Sequence, residues 1–247
     1  MVYNVSMKAL SIKGLKKMYG QNVAVNGISL DIEPGEFFGF LGPNGAGKTT
    51  TIQCITGVAT YDGGEISIFG TDVTKQYRNA RRKVGIAPQE FNTDLFTPVR
   101  KALNFVGGYY GIPKRQRAER VEELLEQFDL VEHANKRFME LSGGLKRRVM
   151  IARAMVHDPD FLILDEPTAG VDVQLRHDLW RHLQEINAAG KTILLTSHYI
   201  EEVERLCSRI AIINKGEIVA EGPKEKFLKG GNNLEDYYLK ITEGEGW

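Results

Sequence analysis

The chain has 247 residues, 42% hydrophobic and 26% charged, which suits a globular protein long enough for one large domain with its own core. Lys+Arg and Asp+Glu number 32 each, so the formal net charge is zero and nothing favours a nucleic-acid partner. No apolar run approaches the ~18 residues of a membrane span, and the opening MVYNVSMKALSIKG has no signal-peptide core, so work at a membrane requires another chain to span it. The two cysteines, Cys54 and Cys207, lie far apart among apolar residues and are expected to be buried thiols, as suits a reducing cytosol.

In chain order, the first 70 or so residues hold strand-like pieces separated by turn signals, such as ISLDI before Pro34-Gly35 and EISIFG after Asp62-Gly63-Gly64. They predict a mostly antiparallel sheet. Tyr19, in KKMYG, either stacks on a base or fills a core. FFGFL (Phe37 to Leu41) is a continuous apolar run, as strands buried on both faces are. It leads into Gly42-Pro43-Asn44-Gly45-Ala46-Gly47-Lys48-Thr49 and the helix-like TTTIQCI. This is G-x-x-x-x-G-K-[ST] between a strand and a helix. The glycines let backbone N–H groups close around phosphate, and the helix N-terminus adds partial positive charge. Lys48 is expected to neutralise the β- and γ-phosphates of ATP. Thr49 is expected to place its hydroxyl on Mg²⁺, and Thr50 joins the nucleotide-binding set.

VGIAP then reads as another strand, with Gln89 at its end as a candidate for Mg²⁺ or the attacking water. Residues near 90 to 157 are helix-dominated and read as an inserted helical subdomain. Val121, Leu124, Leu125 and Phe128 share one face of a helix there. The stretch LSGG (Leu141 to Gly144) has the look of a second anion-binding turn, with Ser142, Gly143 and Gly144 exposing backbone N–H groups before a helix. The basic runs Arg81-Arg82-Lys83 and Lys146-Arg147-Arg148 are expected to be solvated helix faces.

FLIL (Phe161 to Leu164) is a buried strand that ends in Asp165-Glu166, at the edge where α/β sheets bind ligands. Asp165 suits Mg²⁺, directly or through water, and Glu166 suits activation of a water against the γ-phosphate. Leu175, Leu179, Leu183 and Ile186 mark an amphipathic helix. TILL (Thr192 to Leu195) is a strand with His198 just past it, and IAII (Ile210 to Ile213) is another. Alternating strands and helices predict a parallel α/β sheet. Residues 1–222 are taken as a single domain and 223–247 as a polar tail with a short apolar piece at Tyr237, Tyr238 and Ile241.

In this order the motifs resemble the ATP-binding subunits of ABC transporters: aromatic Tyr19, Walker A Gly42 to Thr49, Gln89, LSGG, Walker B ending at Glu166, Asp172 of the D-loop and His198 of the switch. The resemblance runs from Tyr19 to about Gly222 and is nearest to the ATPases of ABC-2-type exporters. It implies a P-loop NTPase core with a mostly parallel sheet, an N-terminal antiparallel β-subdomain and an inserted helical subdomain. It implies ATP hydrolysis assisted by Mg²⁺, with Gln89, Glu166 and His198 catalytic. It also implies a homodimer, or a heterodimer with a similar ATPase, in which the LSGG of one chain closes over ATP held by the Walker A of the other. An integral membrane permease would be the further partner, leaving this chain cytoplasmic and peripheral on the inner face of the cell membrane. An importer ATPase has nearly the same motifs. A soluble ABC ATPase is the other alternative; the single cassette and the lack of a long heptad run argue against it. The family's usual fifth signature residue is Gln, and here it is Leu145.

Overall fold

The computed structural model describes residues 7–228 and 233–243. Strand β1 (Leu10–Tyr19), β2 (Asn22–Ile32) and β3 (Phe37–Leu41) lead to α1 (Lys48–Ile55). β4 (Gly63–Ile68), β5 (Thr71–Asp72), α2 (Tyr77–Lys83) and β6 (Val84–Ala87) follow. The helical region is α3 (Val99–Tyr109), α4 (Lys114–Gln127) and α5 (Gly143–Met155). Then come β7 (Phe161–Asp165), α6 (Val173–Ala188), β8 (Thr192–Ser197), α7 (Ile200–Leu206), β9 (Arg209–Asn214) and β10 (Glu217–Pro223). Two short helices, α8 (Lys224–Phe227) and α9 (Leu234–Glu243), end the described chain.

The strands form an antiparallel four-stranded sheet, β2-β1-β4-β5, and a six-stranded sheet, β10-β9-β3-β8-β7-β6. All pairs of the larger sheet are parallel except the β9–β10 hairpin. The apolar runs now have a physical reading. Along a strand successive side chains point to opposite faces. Phe38 and Phe40 therefore enter a core shared with the antiparallel sheet and α1, while Phe37 and Leu41 enter the core under the helices. Leu162 and Leu164 divide from Phe161 and Ile163 in the same way. A sheet sandwiched like this needs apolar residues at every position, which is why alternation is absent.

On α4 the face carrying Val121, Leu124 and Leu125 is buried, as its spacing predicts, and Leu179, Leu183 and Ile186 are buried on α6. The segment after Gly222 is less polar in place than in sequence, since Phe227 and Leu234 are both buried in the helical core. One expectation is overturned. Lys146-Arg147-Arg148 is not a solvated face: Arg147 is 3% exposed and Arg148 8%. Arg148 donates to Phe128 O (3.3 Å) and Asp129 Oδ2 (2.8 Å), bracing α5 against the end of α4. Arginine covers these distances because its long stem can lie in apolar surroundings while the fork reaches oxygen.

Strand β6 lies hard against the end of α5. A Cβ on Gly85 would stand 2.2 Å from Ala154 O and 2.9 Å from Pro159 Cγ. Gly85→Ala is therefore expected to destabilise by about 1–3 kcal/mol and to lower the melting temperature by roughly 2–4 °C per kcal/mol. Thermal unfolding followed by circular dichroism checks this; an unchanged midpoint would mean that α5 can shift away freely.

Candidate functional site

Strand β3 lies between β9 and β8, so its end opens on the middle of the sheet's carboxyl edge. The loop from Gly42 to Gly47 turns there into α1. Gly45 and Gly47 have φ of 79° and 111°, in the left-handed region that favours glycine. A Cβ on Gly42 would meet Ile213 O at 2.3 Å, and one on Gly47 would meet Ala24 O at 2.6 Å. The loop thus fits only because it lacks side chains. Gly47 caps α1 without any side-chain hydrogen bond, which leaves the first N–H groups of the helix available to an anion. Lys48 Nζ donates to Gly42 O (2.6 Å) and Pro43 O (3.1 Å). Both acceptors are neutral, and burial pulls the Lys48 pKa down while Glu166 and Asp165 oppose it. An anionic phosphate is the partner this amine lacks.

The acid pair is built on the end of β7. Thr196, on the adjacent β8, donates its hydroxyl to Asp165 Oδ1 at 2.5 Å and accepts from Glu166 N at 3.2 Å. Burial pushes the Asp165 carboxyl up, the Thr196 hydrogen bond pulls it down, and neighbouring Glu166 pushes it up further. Glu166 itself has φ of +49°, a left-handed conformation held by its N–H to Thr196 O at 3.0 Å. Such a backbone costs roughly 1–3 kcal/mol and persists where the surroundings over-determine it. It turns the Glu166 carboxylate out of the strand's alternation. Gln89 Nε2 donates to Glu166 Oε2 at 2.8 Å, and His198 Nδ1 lies 3.2 Å from the same oxygen. The ends of β6, β7 and β8 therefore converge on one oxygen atom.

A cleft of about 500 Å³ is lined by Tyr19, Asn44, Gly45, Gly47, Lys48, Thr49, Thr50, Gln89 and Glu166. Sequence reasoning placed all of these in one site. Tyr19 is 48% exposed, with Lys17 Nζ 4.9 Å from its ring centroid, so it is not a core residue. Gly42 and Ala46 shape the loop from beneath, and Pro43 lends its carbonyl to Lys48. Thr49 and Asp165 line an adjoining cavity of about 340 Å³. A hydroxyl, one carboxylate and the Gln89 amide oxygen form the hard-oxygen donor set that suits Mg²⁺ alongside phosphate.

Ser142, Gly143, Gly144 and Asp172 are not in this cleft. Ser142 caps α5, its Oγ accepting from Leu145 N at 3.4 Å, and Asp172 caps α6, its Oδ1 accepting from Leu175 N at 3.0 Å. The two caps are neighbours: a Cβ on Gly144 would meet Leu175 Cδ1 at 2.6 Å. Leu145 lies partly buried against the helical core.

Four cleft residues escaped the sequence reading: Asn22, Val23, Ala24 and Lys215. Lys215 sits at the tip of the β9–β10 hairpin, where Gly216 N donates to Ala46 O at 2.9 Å and ties the tip to the phosphate loop. Its only signal was the Lys215-Gly216 turn after IAIIN.

Comparison with known proteins supplies independent findings. Residues 25–169 match the family described as "ABC transporter". The chain is 48% identical over 214 residues to the Nod factor export ATP-binding protein I of Paraburkholderia xenovorans, covering 87% of this chain and 70% of that one. It superposes with a TM-score of 0.85 on the ATP-binding subunit of an ABC transporter, 28% identical, covering 94% of this chain and 99% of the other. It also superposes, with a TM-score of 0.79 and 27% identity over 87% of this chain and 98% of the other, on a dimeric ATP-binding cassette in a post-hydrolysis state bound to ADP and Pi.

The raised Asp165 pKa has a thermodynamic consequence. A carboxyl raised in the folded state contributes stability that is present below its unfolded pKa and lost as pH rises through the folded one. Asp165→Asn keeps an acceptor for Thr196 and removes the buried charge. It is expected to melt higher than the parent protein at pH 7, with the difference vanishing as pH falls below ~3.8, where Asp165 is protonated in the folded and the unfolded chain alike. Melting curves across pH check this; a lower midpoint at pH 7 would show that the carboxylate is net stabilising.

Proposed function

The chain belongs to the ABC transporter ATPases, and from that premise we propose that it powers export through a membrane partner, with residues 1–222 as the cassette, 90–157 as its helical subdomain and 223–247 as a tail. The single observation that carries the two-site reading is that LSGG does not line this chain's own cleft. Ser142, Gly143, Gly144 and Asp172 act on ATP held by the partner copy, and Tyr19, Asn44, Gly45, Lys48, Thr49 and Thr50 hold this chain's own ATP. A homodimer, or a heterodimer with a similar ATPase, then completes two sites. The likeness to a dimeric cassette bound to ADP and Pi supports that assembly.

Within the site, Tyr19 stacks on the adenine and Lys48 faces the β- and γ-phosphates. Thr49, Gln89 and Asp165 hold Mg²⁺, which when bound offsets phosphate charge. Glu166 takes the proton of the attacking water, and its position is fixed by Gln89 and His198 sharing its Oε2. His198 Nδ1 lies 3.2 Å from that carboxylate, which leaves Nε2 for the γ-phosphate side. Phosphoryl transfer depends on positioning and charge more than on covalent chemistry, which is what these contacts supply.

Among the described residues no helix is long and apolar enough to cross a membrane. A groove beside the Gln89 loop is lined by Phe91, Phe105, Val106 and Tyr109, with Phe105 51% and Tyr109 88% exposed. Large apolar side chains on a groove mark a contact surface. This is where the permease seats, on the inner face of the cell membrane, within reach of cytoplasmic ATP. The export direction is supported by the relatives named as export ATP-binding proteins.

Glu166→Gln is expected to keep ATP binding and slow hydrolysis by roughly 10²–10⁴-fold, the usual worth of a positioned base. Single-turnover phosphate release measures it, and a normal rate would remove Glu166 from that role.

The assembly has its own test. Ser142→Arg and Lys48→Ala should each give inactive homodimers, since each spoils both composite sites. In a mixed dimer the Lys48→Ala chain lends an intact LSGG to the intact Walker A of the other, and one site is rebuilt. ATP-dependent dimerisation of the mixture should exceed that of either variant alone. A Ser142→Arg protein that hydrolyses ATP normally as a dilute monomer would reverse the reading.

A further inference from the structure

We propose that Arg147 is a positioning residue for hydrolysis: it clamps the Gln89 loop to the LSGG helix, so that the two half-sites of one chain respond together. The proposal rests on the reading of Gln89 and Glu166 as parts of the hydrolytic site.

Arg147 lies on α5 a little more than one turn beyond Ser142. Its Nη1 donates to Pro88 O at 2.9 Å and its Nη2 to Gln89 O at 3.2 Å. Two adjacent carbonyls held by one planar fork fix the peptide between them, a grip that an ammonium group cannot reproduce. The guanidinium also lies 5.0 Å from the centroid of the Phe91 ring, two residues along the same loop. Gln89 in turn donates its side-chain amide to Glu166 Oε2 at 2.8 Å, and His198 Nδ1 lies 3.2 Å from that oxygen. A continuous path of direct contacts therefore leads from the Ser142 cap, through α5 and Arg147, to the Gln89 backbone and on to Glu166.

One feature separates this from ordinary helix bracing. Arg148, next in sequence, binds Phe128 O, Asp129 and, at 3.7 Å, Asp178 of α6, and so braces helix against helix. Arg147 alone of the pair reaches the Gln89 loop. Burial draws the Arg147 pKa down, and Asp165, Glu166 and Glu202 draw it back up. Arg147 is thus also a counter-charge to the acid pair, and the experiment must separate the two roles.

The test is a double-mutant cycle of Arg147→Gln with Gln89→Ala, read by single-turnover hydrolysis and by nucleotide affinity, with Arg147→Lys and Glu166→Gln alongside. Arg147→Gln is expected to lower the hydrolysis rate by roughly 10–100-fold, the scale of a misplaced catalytic group, with ATP affinity within about twofold. In the Gln89→Ala background the same substitution should cost little more, because its route to Glu166 is already gone. Arg147→Lys keeps the charge without the fork and should recover only a small part of the rate. A normal rate for Arg147→Gln, losses that simply multiply in the double variant, or full recovery with lysine would each overturn the proposal. If Arg147→Gln does not fold, Arg147→Lys alone and combined with Gln89→Ala gives the same cycle. If instead Glu166→Gln hydrolyses ATP normally, the hydrolytic reading has failed and not merely the role of Arg147.

Discussion

Everything in this molecule hangs on strand β3 being paired on both sides, with β8 on one edge and β9 on the other. That pairing makes the sheet continuous from β9 to β6 with all these strands running the same way. Loops at their carboxyl ends then share one edge. The phosphate loop follows β3, Gln89 follows β6, Asp165-Glu166 ends β7, His198 follows β8 and Lys215 follows β9. No local feature of any of these segments brings them together. The sheet does, and it is held by apolar residues on both faces, so the site inherits the rigidity of the best-packed part of the fold.

The site is paid for with local stability. Lys48 is desolvated against neutral carbonyls, Asp165 is pushed up by burial, and Glu166 sits in a left-handed conformation. Behind them Glu202 is fully buried, its carboxyl raised by burial and held by Trp180 Nε1 at 2.9 Å. Each departs from what the core alone would prefer. Their clustering at one edge of the sheet is the pattern of a binding site, where bound phosphate would offset the buried charge of Lys48.

The sequence displayed the parts that depend on local pattern. The apolar runs at Phe37, Phe161, Thr192 and Ile210 read as strands because a doubly covered strand has no alternative composition. The phosphate loop was legible because glycine and lysine at that spacing have a mechanism. What was not legible depends on non-local pairing. Lys215 joins the cleft only because β9 lies beside β3, which no hairpin pattern reveals. Arg147 and Arg148 looked solvated because charge in a helix is solvated unless a carbonyl happens to face it, and here Pro88, Gln89 and Phe128 do. Tyr19 was ambiguous between base and core for the same reason: the answer lay in whether other segments cover it.

The placement of LSGG follows from packing as well. A Cβ on Gly144 would press on the Leu175 Cδ1 methyl at 2.6 Å, so the starts of α5 and α6 lie side by side. Each helix N-terminus carries about half a positive charge, and two together repel unless an anion lies between or before them. Ser142 Oγ and Asp172 Oδ1 each satisfy one N–H, and the Ser142 contact is long at 3.4 Å. The surface that results stands apart from the cleft that holds Lys48. Bending it onto its own cleft would tear α5 from the Gln89 loop and from the core beneath it. On the dimeric reading proposed above, a second copy would bring its own cleft to this surface, and the γ-phosphate held there would meet both helix N-termini.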